Sequence, residues 1–161
     1  MPRFNTDGVY YLTFTIKNWY YIFDRHNRWE ILTESLSYRI EMEQIDLYAY
    51  VLMLNHMHLI VDAKDITAFI RDYKKYTSKR IKESLEAKEP KVLGLFENSK
   101  GEFELWQKTN MPIQIFNERT LIQKIRYIIE NPVRKKYVNR PEYWKWSSAN
   151  PKPQVKLSGK W

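Results

Sequence analysis

The 161-residue chain contains no cysteine, which excludes disulfides and thiolate–zinc sites. No apolar run approaches the ~18 residues of a membrane span. The first residues lack the basic-then-apolar pattern of a secretory leader. There is no internal repeat and no sign of a second domain. A cytoplasmic protein is the expectation. Acidic residues are outnumbered, with 19 Asp and Glu against 27 Lys and Arg, a formal net charge of +8. That balance suits a polyanionic partner, because Lys and Arg release condensed counterions from phosphates. A merely solvated basic surface would give the same count.

What is present points to a globular protein. The apolar fraction is 43% and the aromatic fraction 16%, and the length suits one domain with a real core. We expect that domain over 1–150, with a loose tail over 151–161. Six Trp and twelve Tyr would also let exposed rings stack on unpaired bases.

The stretch Val9–Ile16 is β-branched and aromatic and predicts a strand. Trp29, Leu32, Leu36 and Ile40 recur at helical spacing and predict an amphipathic helix over 28–43. The most apolar run, 47–62, predicts a hairpin: a strand over 47–53, a turn at Leu54-Asn55, and a strand over 56–62. Asp65 suits the N-cap of a helix whose stripe runs from Ile66 to Leu85. Pro90, Gly94 and Gly101 predict a flexible connection over 86–102. One more strand is expected within 103–116, with Met111-Pro112 restricting it to an edge or a bulge. Asn117 suits the N-cap of a last helix that ends at Asn131-Pro132. Strand, helix, strand, strand, helix, strand is the order of a ferredoxin-like α+β fold. Its four-stranded antiparallel sheet carries helices on one face. The other face is open to a substrate and to one additional helix.

His56 and His58 fall on one face of the second hairpin strand, because a strand repeats every two residues. Two neutral imidazoles there can hold a divalent ion. The bland alternative is a hydrogen-bonded pair beside the core. On the last helix, Leu121, Ile122, Ile125, Ile128 and Ile129 share an apolar arc. Tyr127 falls nearly opposite it, with Asn131 one turn further on the same polar face. Asn131 can add an amide oxygen as a third ligand. Such mixed N/O ligation with open positions suits Mg²⁺ or Mn²⁺. Tyr127 would then be the nucleophile on a phosphate. Lys74, Lys75, Lys79 and Arg80, together with Arg126, Arg134, Lys135 and Lys136, are the candidate DNA-phosphate contacts. A surface tyrosine and a solvated basic helix face are the competing readings.

At these residues the sequence resembles the single-tyrosine HUH transposases, in particular the REP-associated tyrosine transposases and their insertion-sequence relatives. The likeness lies in Tyr48–Val61 around His56-Met57-His58, in Tyr73–Ile81, in Lys124–Arg134, and in Trp146-Ser147-Ser148-Ala149. It departs at Leu54, where proline is usual, and at Lys135-Lys136-Tyr137, where a glycine-containing stretch is usual. The resemblance implies the HUH endonuclease fold. It also implies cleavage of single-stranded DNA near a hairpin, a 5′-phosphotyrosine link and a divalent metal. His56, His58 and Asn131 would be its ligands and Tyr127 its nucleophile, in a bacterial-type, nucleoid-associated protein. It leaves open both a site within one chain and a homodimer in which the last helix completes the partner's site. Two other readings stand beside it: a non-catalytic single-strand-binding module of the same fold, and a hydrolase in which water attacks.

Overall fold

A computed structural model describes residues 8–108 and 111–158. The elements run β1 (Val9–Thr15), α1 (Trp29–Glu41), β2 (Ile45–Leu52), β3 (His56–Ala63), α2 (Ile66–Lys88), β4 (Ile113–Gln114) and α3 (Glu118–Arg134). The strands form one antiparallel sheet in the order β2-β3-β1-β4. This is the ferredoxin-like α+β architecture. No helix among the described residues is long and apolar enough to cross a membrane.

Alternation along the strands builds two cores. Leu12 and Phe14 of β1 and Met57, Leu59 and Val61 of β3 join Leu32 and Leu36 of α1 and Phe69, Tyr73 and Ile81 of α2. On the other face, Val9, Tyr11, Val51 and Ile60 join Leu121 and Ile128 of α3. The helices α1 and α2 therefore cover one side of the sheet and α3 the other. Strand β2 breaks strict alternation at Tyr48, where Leu47 pairs with Val61 but Ala49 with Ile60. This one-residue bulge lets Leu47, Tyr50 and Leu52 face α1 and α2, while Tyr48, Ala49 and Val51 face α3.

The α2 cap forms as expected, with the Ala68 N–H donating to the Asp65 carboxylate at 3.0 Å. The described part of the expected loose tail is docked instead: Val155 is 1% exposed in the main core, and the Ser158 N–H donates to the Leu47 carbonyl at 2.8 Å. Three further expectations need correction. The connection over 86–102 is not loose: α2 reaches Lys88, Pro90–Phe96 makes helical turns, and Phe96 is fully buried. An aromatic anchor and an ion cluster at Glu89 outweigh the Pro and Gly signals there. The last expected strand is split: Trp106 bridges to Ile16, with the Lys17 N–H on the Leu105 carbonyl and the Gln107 N–H on the Thr15 carbonyl, and after Pro112, which has no N–H to give, only Ile113–Gln114 pair with β1 as β4. Residues 109 and 110 of that stretch, and 159–161 of the expected tail, lie outside the described residues.

The third correction concerns the last helix, which runs through Pro132 to Arg134. Its end is closed by N–H donation from Lys135 to the Asn131 carbonyl, from Lys136 to Val133 and from Tyr137 to Pro132, at 2.9–3.0 Å. Lys136 takes φ of 61° there, the left-handed position where helices favour glycine. Asn131, expected on the polar face with Tyr127, is 4% exposed, and Pro132 after it is buried too, while Arg134 at the end of the helix stays exposed. Ile122, expected in the apolar arc, is half exposed, because that arc is wider than the contact with the sheet.

Candidate active site

Strand β3 lies between β2 and β1, so its side chains are held on both flanks. His58 pairs across the sheet with Thr13 and His56 with Thr15. The two imidazoles stand edge to face, with ring centroids 5.0 Å apart. Thr13 Oγ1 and Tyr11 Oη lie 2.9 and 3.0 Å from His58 Nδ1. Asn55 Oδ1 lies 2.8 Å from His56 Nδ1. Asn55 Oδ1 can only accept, so His56 Nδ1–H donates to it and Nε2 keeps its lone pair; the hydroxyls at His58 can accept from Nδ1–H, the tautomer that frees its Nε2 for a metal.

Burial drives the His56 pKa down to about 4, and Lys135 adds to the shift. Burial likewise drives His58 down to about 3, reinforced by His56, Arg134 and Lys124. Both rings are therefore neutral at pH 7, the form that binds metal. Both folded-state values also lie below the free value near 6.5. Their contribution to stability is then complete above about pH 6.5 and is lost as pH falls toward 4. Denaturant midpoints are expected to fall between pH 7 and 4.5, and His58→Gln is expected to flatten that fall. An equally steep profile in the variant would reject this assignment.

Tyr127 enters from α3. Its ring meets His58 edge to face at 5.9 Å. The Arg134 guanidinium lies over the Tyr127 ring at 4.1 Å and donates to the Tyr127 carbonyl at 2.6 Å. Seven residues on a helix bring the two to the same face two turns apart. Lys124 Nζ sits 4.6 Å from the Tyr11 ring centroid. The site thus collects two neutral imidazoles, a phenol and three nearby cations.

The donor set fits a divalent ion. Among the described residues no group of three or more His, Cys, Asp or Glu offers an alternative. The two Nε2 atoms are left outward by their partners. Asn131, one turn beyond Tyr127 on the same helix, is 4% exposed. Its amide oxygen has the chemistry of a hard ligand for such an ion.

The model of a protein family described as IS200-like transposase matches residues 5–109. The chain belongs to the IS200-like transposase family. As a transposase by family, it is a DNA-cleaving enzyme. The matched residues include His56 and His58 and stop before α3. No curated protein matches the chain at a significant level. Among solved structures, the fold is similar to a REP-associated tyrosine transposase bound to a REP hairpin. That likeness has a TM-score of 0.63 and 17% identity over 98% of this chain and 89% of that one. It is also similar to a candidate transposase from Deinococcus radiodurans R1, with TM-score 0.50 and 20% identity over 76% and 88% of the two chains.

In this transposase the eight expected phosphate contacts separate into groups. Arg134 and Lys135 lie at the histidines and Tyr127, with Lys136 next in the chain. Arg126 lines an apolar recess beside Tyr48, Ile122 and Ile129. Lys75 and Lys79 line a groove with Arg39 and Tyr76, across the sheet from α3. Lys74 is half-buried, its Nζ donating to the Gln107 carbonyl at 3.2 Å, and burial lowers its pKa. Arg80 is engaged by the Tyr76 hydroxyl and Glu83. Only the group at the end of α3 is gathered with the tyrosine. Sequence reasoning missed Tyr11, Thr13 and Asn55 as partners of the histidines. Alternation along β1 puts Tyr11 and Thr13 on one face, but their pairing with His58 needs the register.

Proposed function

We propose that the protein cleaves and rejoins single-stranded DNA near hairpins through a 5′-phosphotyrosine intermediate on Tyr127. The observation that carries this reading is the convergence of Tyr127 with His56 and His58 on the α3 side of the sheet, under the cations of Arg134, Lys135 and Lys124. Tyr127 Oη gives up its proton and attacks the scissile phosphorus; the Oη–P bond forms, the P–O3′ bond breaks, and O3′ takes up a proton, so one proton is lost and one gained. A second strand's 3′-hydroxyl reverses the step and releases the tyrosine, splitting one transfer into two easier ones. Arg134 holds the phenol ring from its outer face and puts positive charge where the phosphate arrives. Asn55 on one side and Tyr11 with Thr13 on the other fix the two imidazole planes. His56, His58 and the Asn131 amide would hold a divalent ion, which would supply polarisation of the phosphate and offset charge in the transition state.

The test offers labelled single-stranded hairpin DNA with Mg²⁺ or Mn²⁺. The expected product is a protein–DNA adduct that survives denaturation and disappears when EDTA is added beforehand. Cleavage without adduct would favour attack by water, and binding without cleavage would favour a non-catalytic module.

A further inference from the structure

The loop after β1 carries more exposed aromatic surface than folding requires. Trp19 is 61% exposed and Tyr21 57%. Ile22 and Phe23, directly after them, are buried and anchor the loop. Asn18 and Trp19 have φ of 56° and 61°, a left-handed backbone that is uncommon for a bulky residue. The conformation is held from both sides: the Trp19 N–H donates to the Ile16 carbonyl at 3.0 Å, and Asn55 Nδ2 donates to the Trp19 carbonyl at 3.0 Å. The loop is further laced to the β2–β3 turn by Ile16 N–H to the Asn55 carbonyl and Phe23 N–H to Leu54. The amide that steadies Trp19 is the one that orients His56.

A second exposed ring comes from the turn after α3. Tyr137 is 40% exposed, and burial together with the neighbouring Tyr21 and Asp24 raises the pKa of its hydroxyl. Its inner face stacks on Trp144 at 5.5 Å. Trp144 is fixed in turn by its Nε1–H to the Leu52 carbonyl at 2.9 Å and by Trp29, edge-on at 6.0 Å. The ring is thus presented on a rigid backing, so little freedom is lost when something stacks on it. Lys135 and Lys136 directly precede it; both are exposed, with no ion pair among the described residues. Aromatic faces beside unpaired cations, continuous with the histidine pair, match the alternation of base and phosphate in an unpaired strand.

We propose that Trp19, Tyr21 and Tyr137 form a stacking platform for the unpaired bases of the DNA strand that leads into the site, with Lys135 and Lys136 on its phosphates. This rests on the reading above that the substrate is single-stranded DNA. The platform delivers a strand whose bases are splayed, and it discriminates against duplex, whose bases are already stacked on each other.

The experiment uses the full chain and a short oligothymidylate carrying one 5-iododeoxyuridine at successive positions. Ultraviolet cross-linking and peptide mapping on the wild-type protein are expected to place adducts on Trp19, Tyr21 or Tyr137. In parallel, Trp19→Ala and Tyr21→Ala, both at exposed sites, are expected to weaken single-strand binding roughly tenfold each and to change duplex binding less than about twofold. Cross-links confined to other surfaces, or variants that bind the single strand as wild type does, would overturn the platform. Should the phosphotyrosine adduct still form in that case, the proposed function stands alone. If the wild-type protein binds no single strand and forms no adduct, both fall. Self-association removed by Trp19→Ala, with DNA affinity unchanged, would assign the surface to a second copy of the chain and overturn the proposal.

Discussion

Tyr127→Phe is expected to keep the fold and DNA binding and to abolish the denaturation-resistant adduct. The phenylalanine ring preserves the edge contact with His58 and the seat beneath Arg134. Only the attacking oxygen is removed. Without it no Oη–P bond can form, and strand cleavage is expected to drop by at least about a thousandfold, as when other covalent nucleophiles are removed. The measurement is a single-turnover cleavage assay with gel separation of free and protein-linked strands, read beside binding by anisotropy. Cleavage that persists near the wild-type rate would transfer the attack to water. An adduct that persists would mean another hydroxyl is the nucleophile, with Tyr11 the first to test because its Oη reaches His58 Nδ1.

Glu89→Ala is expected to cost about 3 kcal/mol of folding stability, close to the penalty for stripping the partner from a buried charge. The Arg28 side chain is fully enclosed, and its Nη1 lies 2.8 Å from the Glu89 carboxylate. Arg28 also donates to the Ile22 carbonyl and to Ser84 Oγ. Arg25 and His26 complete the cluster from the exposed side. Burial opposes the Glu89 carboxylate, but Arg25 and Arg28 hold its pKa below the usual range. Its contribution is therefore present above the unfolded carboxyl value and is lost as pH falls through the folded one. Removing the carboxylate leaves the Arg28 guanidinium without its countercharge where water cannot replace it. Urea unfolding is the check. A loss below about 1 kcal/mol would show that the remaining hydrogen bonds satisfy Arg28.

Much of this architecture is legible in the sequence because it is local. The His56-Met57-His58 alternation, the Asp65 and Asn117 caps, and the helical stripe from Phe69 to Leu85 each follow from neighbours in the chain. What is not legible depends on tertiary partners. The bulge at Tyr48 leaves no mark in an apolar run that is buried on both faces. Proline at 132 reads as a stop, yet three N–H groups beyond it find carbonyls. Phe96 sits among turn-forming residues, and only the core explains its burial. The same limit applies to the site. The chain singles out His56, His58 and Tyr127 as the candidates for chemistry. It does not show that Asn55, Thr13 and Tyr11 orient them, because those contacts cross between strands.

The packing of α3 onto β2 and β3 of its own chain has a kinetic meaning. The phenol and the imidazoles are joined by one polypeptide, and the core residues Leu121 and Ile128 keep them facing each other in every folded molecule. Their encounter is intramolecular, with an effective concentration set by that packing and not by how much protein is present. On the proposed mechanism, cleavage of a bound strand at a site built from one chain is first order in the complex, and dilution slows only the arrival of DNA; a rate that rises with protein concentration at saturating DNA would instead mark a site completed by a second copy.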